Sequence, residues 1–266
     1  MVEQAQDFLD ESEALYSLIK DLSDKELQQA TAFKGWTINT VIGHLHMWNH
    51  AADLALRDGA EFKRFFQGVA SYLSEGNLNG FEKQWLGELE GRALVSTWRE
   101  TYQQVAANFQ NADPSARVEW VGPSMSVRSS ITARLMETWA HGQEIYDLLG
   151  VERVNHDRIK NIVILGMNTC GWTFRVNGRD APEPVPEVSL AAPSGETWTF
   201  NEGSDGGRIS GRAEEFCQVV TQTRNIADTN LSVTGSNAIS WMEIAQCFAG
   251  GPETPPAPGT RVRQTL

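Results

Sequence analysis

The chain of 266 residues is 41% hydrophobic and 21% charged, which is typical of a globular protein large enough for one or two domains. Its 34 acidic against 22 basic residues give a net charge of −12, which argues against nucleic acid or an anionic membrane as the main partner. The acidic N-terminus lacks a signal-peptide pattern and no apolar run is long enough to span a membrane, so we expect a cytoplasmic protein.

The three cysteines, Cys170, Cys217 and Cys247, are widely spaced among apolar residues. An odd number without metal-binding spacing predicts reduced thiols in the core rather than disulfides or zinc ligands. No histidine lies near them in the sequence, so a catalytic role is the weaker interpretation.

The spacing of apolar residues predicts an all-helical first half. Ser23 is expected to cap a short helix, and Thr37 to cap a longer helix that carries three of the five histidines. Residues 60–91 are predicted to form only short helical pieces, and residues 118–128 a loop. The main helices, which together indicate a four-helix bundle, are expected at residues 2–22, 38–56, 92–111 and 129–149.

The second half of the chain combines short strand patterns with short helices. Residues 193–195, Pro-Ser-Gly, predict a hairpin turn. Strands are expected at residues 187–190, 197–200, 208–211 and 230–234, and helices at residues 158–174, 213–222 and 237–248. We therefore predict an α+β protein, with a helical-bundle domain over residues 1–155 and a small α+β domain over residues 156–266.

Glu137 and His141 are four residues apart in the predicted helix over 129–149, so their side chains share one face. A carboxylate and an imidazole on one face can hold a divalent metal ion if a third ligand comes from another helix. The competing interpretation is a simple hydrogen bond between the two side chains, which is the commoner reason for this spacing. The predicted helix is mostly buried and carries acids and a histidine beside leucine. Because a buried carboxylate is costly without a partner, this pattern favours a polar partner inside the bundle, either a metal ion or an arginine.

The predicted helix over residues 38–56 supplies the candidates for a third ligand. His46 and His50 are four residues apart and could act as a pair, whereas His44 lies on a different face. Spacing alone leaves these alternatives open, and two of the three histidines are expected to be ordinary core or surface residues. His156 lies in a polar turn and is expected to be solvated.

Four further side chains are candidates for roles in a pocket. Trp48 and Trp139 neighbour the candidate ligands and could form its wall, although most tryptophans here are expected in the core. Arg224 could bind a substrate carboxylate, with an exposed structural arginine as the commoner alternative. Glu144 is the candidate catalytic base for a hydrolytic reaction, because it lies one helical turn from the candidate ligand before it.

The residues around the two histidine motifs resemble a known family. Residues 36–45 resemble the start of the histidine-bearing helix in DinB-like bundle proteins. Residues 137–144 resemble the second ligand motif of the mycothiol-dependent maleylpyruvate isomerase branch. This resemblance implies that His44, Glu137 and His141 hold one divalent metal ion, with zinc favoured and nickel as the alternative.

The resemblance extends more loosely into the second half. Residues 229–241 are similar to the strand and helix of the sterol-carrier-like C-terminal domains found in this branch. Together with residues 244–250, they resemble an uncharacterised, mostly actinobacterial subgroup labelled wyosine-base-formation-like. Thr40 and Glu144 depart from the family pattern, since Asp is common at both positions, and this puts the contacts around the ligands in doubt.

The family resemblance implies a metal-dependent enzyme of the thiol-dependent isomerase or S-transferase type. Its substrate would be a small acidic or electrophilic molecule, and its cofactor a low-molecular-weight thiol such as mycothiol. Two histidines and one carboxylate would leave the metal open positions and residual positive charge, which lower the pKa of a bound thiol. The alternatives are a non-catalytic, metal-containing small-molecule binding protein and a metal-dependent hydrolase. The assembly could be a homodimer.

Overall fold

The computed structural model describes residues 1–264. The chain divides into two compact units, Met1–Ile145 and Tyr146–Leu266. The predicted boundary lies near residue 155, whereas the structural division falls inside the last turn of a long helix. Among residues 1–264, none of the helices combines the length and the apolar character that a membrane span requires.

The first unit is helical, as predicted. Its helices are α1 (Glu3–Ile19), α2 (Asp24–Leu27), α3 (Ile38–Arg57), α4 (Gly59–Ser74), α5 (Leu78–Leu86), α6 (Gly91–Gln110) and α7 (Val127–Leu148), the last of which continues into the second unit. Helix α6 packs on both α1 and α3. The core includes Phe8, Trp98 and Phe109, each fully buried, and burial of each such side chain contributes about 1.5–3 kcal/mol.

The two predicted helix caps are confirmed. The Thr37 hydroxyl accepts a hydrogen bond from the backbone N–H of Thr40 and fixes the start of α3. Ser23 and Glu26 form a reciprocal capping box at the start of α2. Because α3 is buried along most of its length, its start position decides which side chains face the interior.

Two predictions about the first unit need correction. Within residues 60–91 the structure has one long helix, α4, and the shorter α5, where only short pieces were predicted. Asp58 caps α4 by accepting from the N–H groups of Ala60 and Glu61. The predicted loop over 118–128 includes part of a short antiparallel pair, β1 (Arg117–Val118) with β2 (Met125–Ser126).

The second unit combines a four-stranded sheet with short helices, which confirms the α+β prediction. Its strands are β3 (Glu187–Ala191), β4 (Thr197–Phe200), β5 (Arg208–Arg212) and β6 (Ser232–Thr234), in the order β4-β3-β5-β6. Strands β3 and β5 are parallel, and the outer strands are antiparallel to their neighbours. The predicted hairpin between β3 and β4 is confirmed, with Gly195 supplying a positive φ of 91° at the turn.

The helices of the second unit are α8 (Lys160–Asn168), α9 (Cys170–Val176), α10 (Ala213–Val220) and α11 (Ser236–Met242). The single helix predicted over 158–174 is wrong, because the chain breaks at Thr169, whose hydroxyl donates to the carbonyl of Leu165. Phe216 of α10 packs edge-on against Trp241 of α11, with ring centroids 5.8 Å apart.

Candidate metal centre

Three side chains from two helices of the first unit meet at one point. His44 comes from α3, while Glu137 and His141 come from α7, one turn apart. One ligand atom from each residue lies within 4.8 Å of the other two. Nε2 of His141 is 3.3 Å and Nε2 of His44 is 3.8 Å from Oε2 of Glu137. The structure thus brings together the three residues that the family resemblance implied.

The donor set fits a divalent transition metal. Two imidazole nitrogens and one carboxylate oxygen are the donors found in catalytic zinc sites, which leave a position open for water or substrate. Ligand atoms bound tetrahedrally to one zinc ion lie about 3.4 Å from one another. The two separations measured to Glu137 are close to this value, while the three ligand atoms as a group lie within 4.8 Å of one another, so the side chains must move closer together to bind one ion.

Glu82 of α5 contacts the centre from outside the ligand set. Its Oε1 atom lies 2.7 Å from Nδ1 of His44, the ring nitrogen that does not face Glu137. Glu82 is only 3% exposed, so its carboxylate needs this partner. Glu82 could not be identified from the sequence, because no spacing relation links it to a residue 38 positions earlier.

Aromatic rings enclose the two histidines. Trp36 stacks on His141 with an interplanar angle of 8° and a centroid distance of 5.6 Å, and Phe33 meets the same ring edge-on. The ring centroids of Trp48 and His44 lie 6.3 Å apart, and the place of Trp48 in a substrate pocket stays a prediction. Trp139 is fully buried on α7. The rings of Trp36, Phe33 and Trp48 therefore place apolar surface beside the two histidines, which strengthens electrostatic interactions there.

The charges of the three candidate ligands depend on one another. Burial by itself raises the pKa of the Glu137 carboxyl, but hydrogen bonds with His141 and His44 hold that pKa well below its usual range. Burial lowers the pKa of His44, yet the carboxylates of Glu82 and Glu137 raise it to about 9. Burial also lowers the pKa of His141. In the metal-free protein, His44 is therefore the cation that pairs with the carboxylates.

Arg134 places a second cation next to the centre. It is 3% exposed, lies on α7 one turn before Glu137, and donates from Nε to Oδ1 of Asn49 at 3.1 Å. Its Nη2 atom is buried and has no hydrogen-bond partner within residues 1–264. Burial lowers the pKa of the Arg134 guanidinium to about 10, so it remains charged at neutral pH. The three-residue spacing to Glu137 was the sequence signal that could have identified it.

The remaining histidines of α3 lie outside the ligand group found among the described residues. The rings of His46 and His50 pack against Trp85, at centroid distances of 5.2 and 5.3 Å. Burial lowers the pKa of His46 to about 4, so it is neutral. His156 is exposed, in agreement with its expected place in a solvated turn.

Two other predicted functional residues are buried. Glu144 is 2% exposed on α7, one turn after His141. Arg224, 8% exposed, is in the second unit, where its Nη2 donates to Oδ1 of Asp147 at 2.7 Å and its Nη1 donates to the carbonyl of Thr223. Their proposed roles as catalytic base and carboxylate-binding residue stay predictions, and Arg224 would have to leave Asp147 to bind a substrate.

The fold and the site define a helical-bundle protein with a candidate His-Glu-His metal centre and an α+β C-terminal unit. Residues 8–146 match the model of the mycothiol maleylpyruvate isomerase N-terminal domain family. The chain belongs to this family, which confirms the resemblance drawn from the two histidine motifs.

Two relatives and two solved structures extend the comparison. The chain is 36% identical over 245 residues to uncharacterised proteins of Mycobacterium tuberculosis strains CDC 1551 / Oshkosh and ATCC 25618 / H37Rv, covering 91% of this chain and 93% of each relative. Crystal structures of the mycothiol-dependent maleylpyruvate isomerase and of a mutant of it share the fold, with TM-scores of 0.56 and 0.57. Their identities are 13% and 14%, and each match covers 94% of this chain and 95% of the other.

Proposed function

We propose that this protein is a metal-dependent enzyme that acts on a small acidic or electrophilic substrate with the help of a low-molecular-weight thiol. It either isomerises the substrate or joins the thiol to it, as an S-transferase does. The observation that carries the proposal is the convergence of His44, Glu137 and His141 in a chain of the mycothiol maleylpyruvate isomerase family. Zinc is the favoured metal and mycothiol the favoured thiol, because the donor set suits zinc and the family is named for mycothiol.

The role of each residue follows from its chemistry. His44, Glu137 and His141 would hold the ion, which would supply the positive charge that lowers the pKa of a bound thiol. Trp36 stacks on the ring of His141 and Phe33 meets it edge-on, and both contacts would hold this ligand in place. Arg134 adds a fixed positive charge that favours an anionic thiolate over a neutral thiol at this place.

The proposed isomerisation consumes neither oxidant nor reductant. The thiolate sulfur adds to one carbon of a double bond conjugated to a carbonyl group, and the electron pair moves to the carbonyl oxygen. Rotation about the new single bond and expulsion of the thiolate give the other isomer. In an S-transferase the carbon–sulfur bond remains, and a proton adds to the neighbouring carbon.

The test is turnover by the zinc-loaded chain with mycothiol and maleylpyruvate, followed by ultraviolet absorbance for isomerisation and by mass spectrometry for thioether products. The His44→Ala protein should lose roughly 100-fold or more in rate. His156→Ala, a change at an exposed histidine, should keep full activity. Full activity in His44→Ala would refute the proposal. Binding of the substrate without turnover in any variant would favour the non-catalytic alternative.

A metal-dependent hydrolase is the other enzyme class to separate by experiment. It would need Glu144 as a general base for a bound water, and it would act on esters or amides without added thiol. Hydrolysis that is independent of thiol and lost in Glu144→Gln would support that class against the thiol-dependent one.

A further inference from the structure

Glu82 is a buried acid with a defined partner. Its carboxylate lies on α5 and reaches Nδ1 of His44 on α3 at 2.7 Å, with side-chain exposures of 4% and 11%. A buried carboxylate is stable only when it is paired, and this pair is made with a candidate metal ligand rather than with a lysine or arginine. The contact therefore affects the candidate metal ligand His44 as well as the stability of the fold.

In the neutral form that can bind a metal ion, His44 carries one proton, and the contact with Glu82 determines which ring nitrogen holds it. An ionised carboxylate only accepts hydrogen bonds, so Nδ1 of His44 must be the donor to Glu82. Nε2, which lies 3.8 Å from Oε2 of Glu137, is then the nitrogen with a lone pair for a metal ion. A carboxylate in this position also increases the basicity of the imidazole that it contacts.

A second set of contacts links Glu82 to the other histidine. With its amide oriented to satisfy both neighbours, Asn79 donates to Oε2 of Glu82 at 3.1 Å and accepts from Nε1 of Trp36 at 3.0 Å. The indole of Trp36 stacks on the ring of His141. One hydrogen-bonded chain on α5 therefore holds His44 directly and His141 through a stacked ring.

We propose that Glu82 is a positioning residue for the metal centre, and that Asn79 and Trp36 extend its action to His141. This inference deepens the proposed function and rests on its metal site. Glu82 selects the tautomer of His44 and fixes its ring plane, while Asn79 fixes the carboxylate. Helix α5 thus belongs to the metal centre although it supplies no ligand.

The first test measures metal affinity without any substrate. Zn²⁺ and Co²⁺ dissociation constants are determined by competition with a chromophoric chelator for the wild type, Glu82→Gln and Asn79→Ala. Glu82→Gln should bind both ions roughly 10–100-fold more weakly, and Asn79→Ala should show a smaller loss. The visible absorption of the Co²⁺-loaded protein should also shift in Glu82→Gln, because a changed imidazole changes the ligand field.

Glu88→Gln is the matched control. It makes the same charge change just beyond α5 at an exposed position, so it should leave both dissociation constants and the Co²⁺ spectrum unchanged. If Glu82→Gln, folded by circular dichroism, kept the wild-type affinity and spectrum, Glu82 would be a structural contact only and the proposal would be overturned.

A second measurement needs no mutant of Glu82. Nitrogen-15 NMR of histidine-labelled, Zn²⁺-loaded wild type reports the tautomer of each imidazole directly. The proposal requires His44 to be protonated at Nδ1, and protonation at Nε2 would overturn it even if Glu82→Gln failed to fold. If the wild type binds Zn²⁺ and Glu82→Gln binds it equally well, this inference alone is refuted and the proposed function stands. A wild type that binds no metal removes the proposed function as well.

Discussion

Glu82 and His44 are 38 residues apart in sequence and lie on different helices, yet their side chains meet at 2.7 Å inside the first unit. The two ring nitrogens of His44 therefore have different partners. One nitrogen bonds to Glu82, and the other faces Glu137 and His141 across a space that suits a metal ion. The candidate centre is therefore supported by three helices, although only two supply ligands.

Replacement of Arg134 by Met should strengthen metal binding severalfold. The guanidinium is a buried cation one turn from Glu137, and a like charge opposes a divalent cation nearby. The same change should weaken binding of an anion such as azide to the metal-loaded protein. Both dissociation constants can be measured on the Co²⁺-loaded chain.

Arg128→Met is the control for this change, since Arg128 is exposed near the start of α7 and its loss should alter neither constant. Weaker metal binding in Arg134→Met would contradict the prediction. That result would mean that Arg134 acts mainly by keeping Glu137 ionised and in place.

Loss of Arg224 should destabilise the second unit by about 3–5 kcal/mol, because Asp147 would remain buried without its arginine. The double variant Arg224→Met with Asp147→Asn should recover part of this loss. Chemical denaturation of the full chain measures both effects. If Arg224 also binds a substrate carboxylate, the single variant should raise KM in addition.

Arg208 offers a comparison for Arg224, since it pairs with Glu187 but is 56% exposed. Arg208→Met should cost less than about 1 kcal/mol, as expected for a surface ion pair. Equal costs for the two arginines would contradict the account of a buried pair.

The cysteines should be inert in the folded protein. All three are buried, and burial raises the pKa of the Cys170 thiol to about 12 and that of Cys217 well above its usual range. Since a raised pKa keeps a thiol protonated at every pH below it, Cys170 and Cys217 form little thiolate at pH 8, and burial keeps the reagent away from Cys247. A chromogenic disulfide reagent at pH 8 should react with three thiols after denaturation and react slowly with the native chain. Rapid reaction of one native thiol would contradict this prediction.

Local patterns predicted much of the fold. The caps at Ser23 and Thr37 and the helix that starts at Ile38 follow from side-chain chemistry within a few residues. The break at Thr169 did not follow from such a pattern, because apolar residues continue on both sides of it and only a hydroxyl contact to the preceding turn marks the interruption.

The candidate ligands were partly accessible from sequence. Glu137 and His141 are neighbours by helical spacing, but spacing did not choose among His44, His46 and His50, and the choice of His44 came from family resemblance. Glu82 could not be predicted from the sequence, because its role depends on how α5 packs beside α3. This is a tertiary contact without a local sequence signature.

The most direct test of the metal centre is the metal content of the chain, measured by elemental analysis on protein purified without chelators or a histidine tag. The account predicts about one equivalent of zinc or nickel per wild-type chain, and loss of that metal in His141→Ala with the fold retained. No metal in either protein would contradict the account. Glu137 and His141 would then be a hydrogen-bonded pair in the bundle.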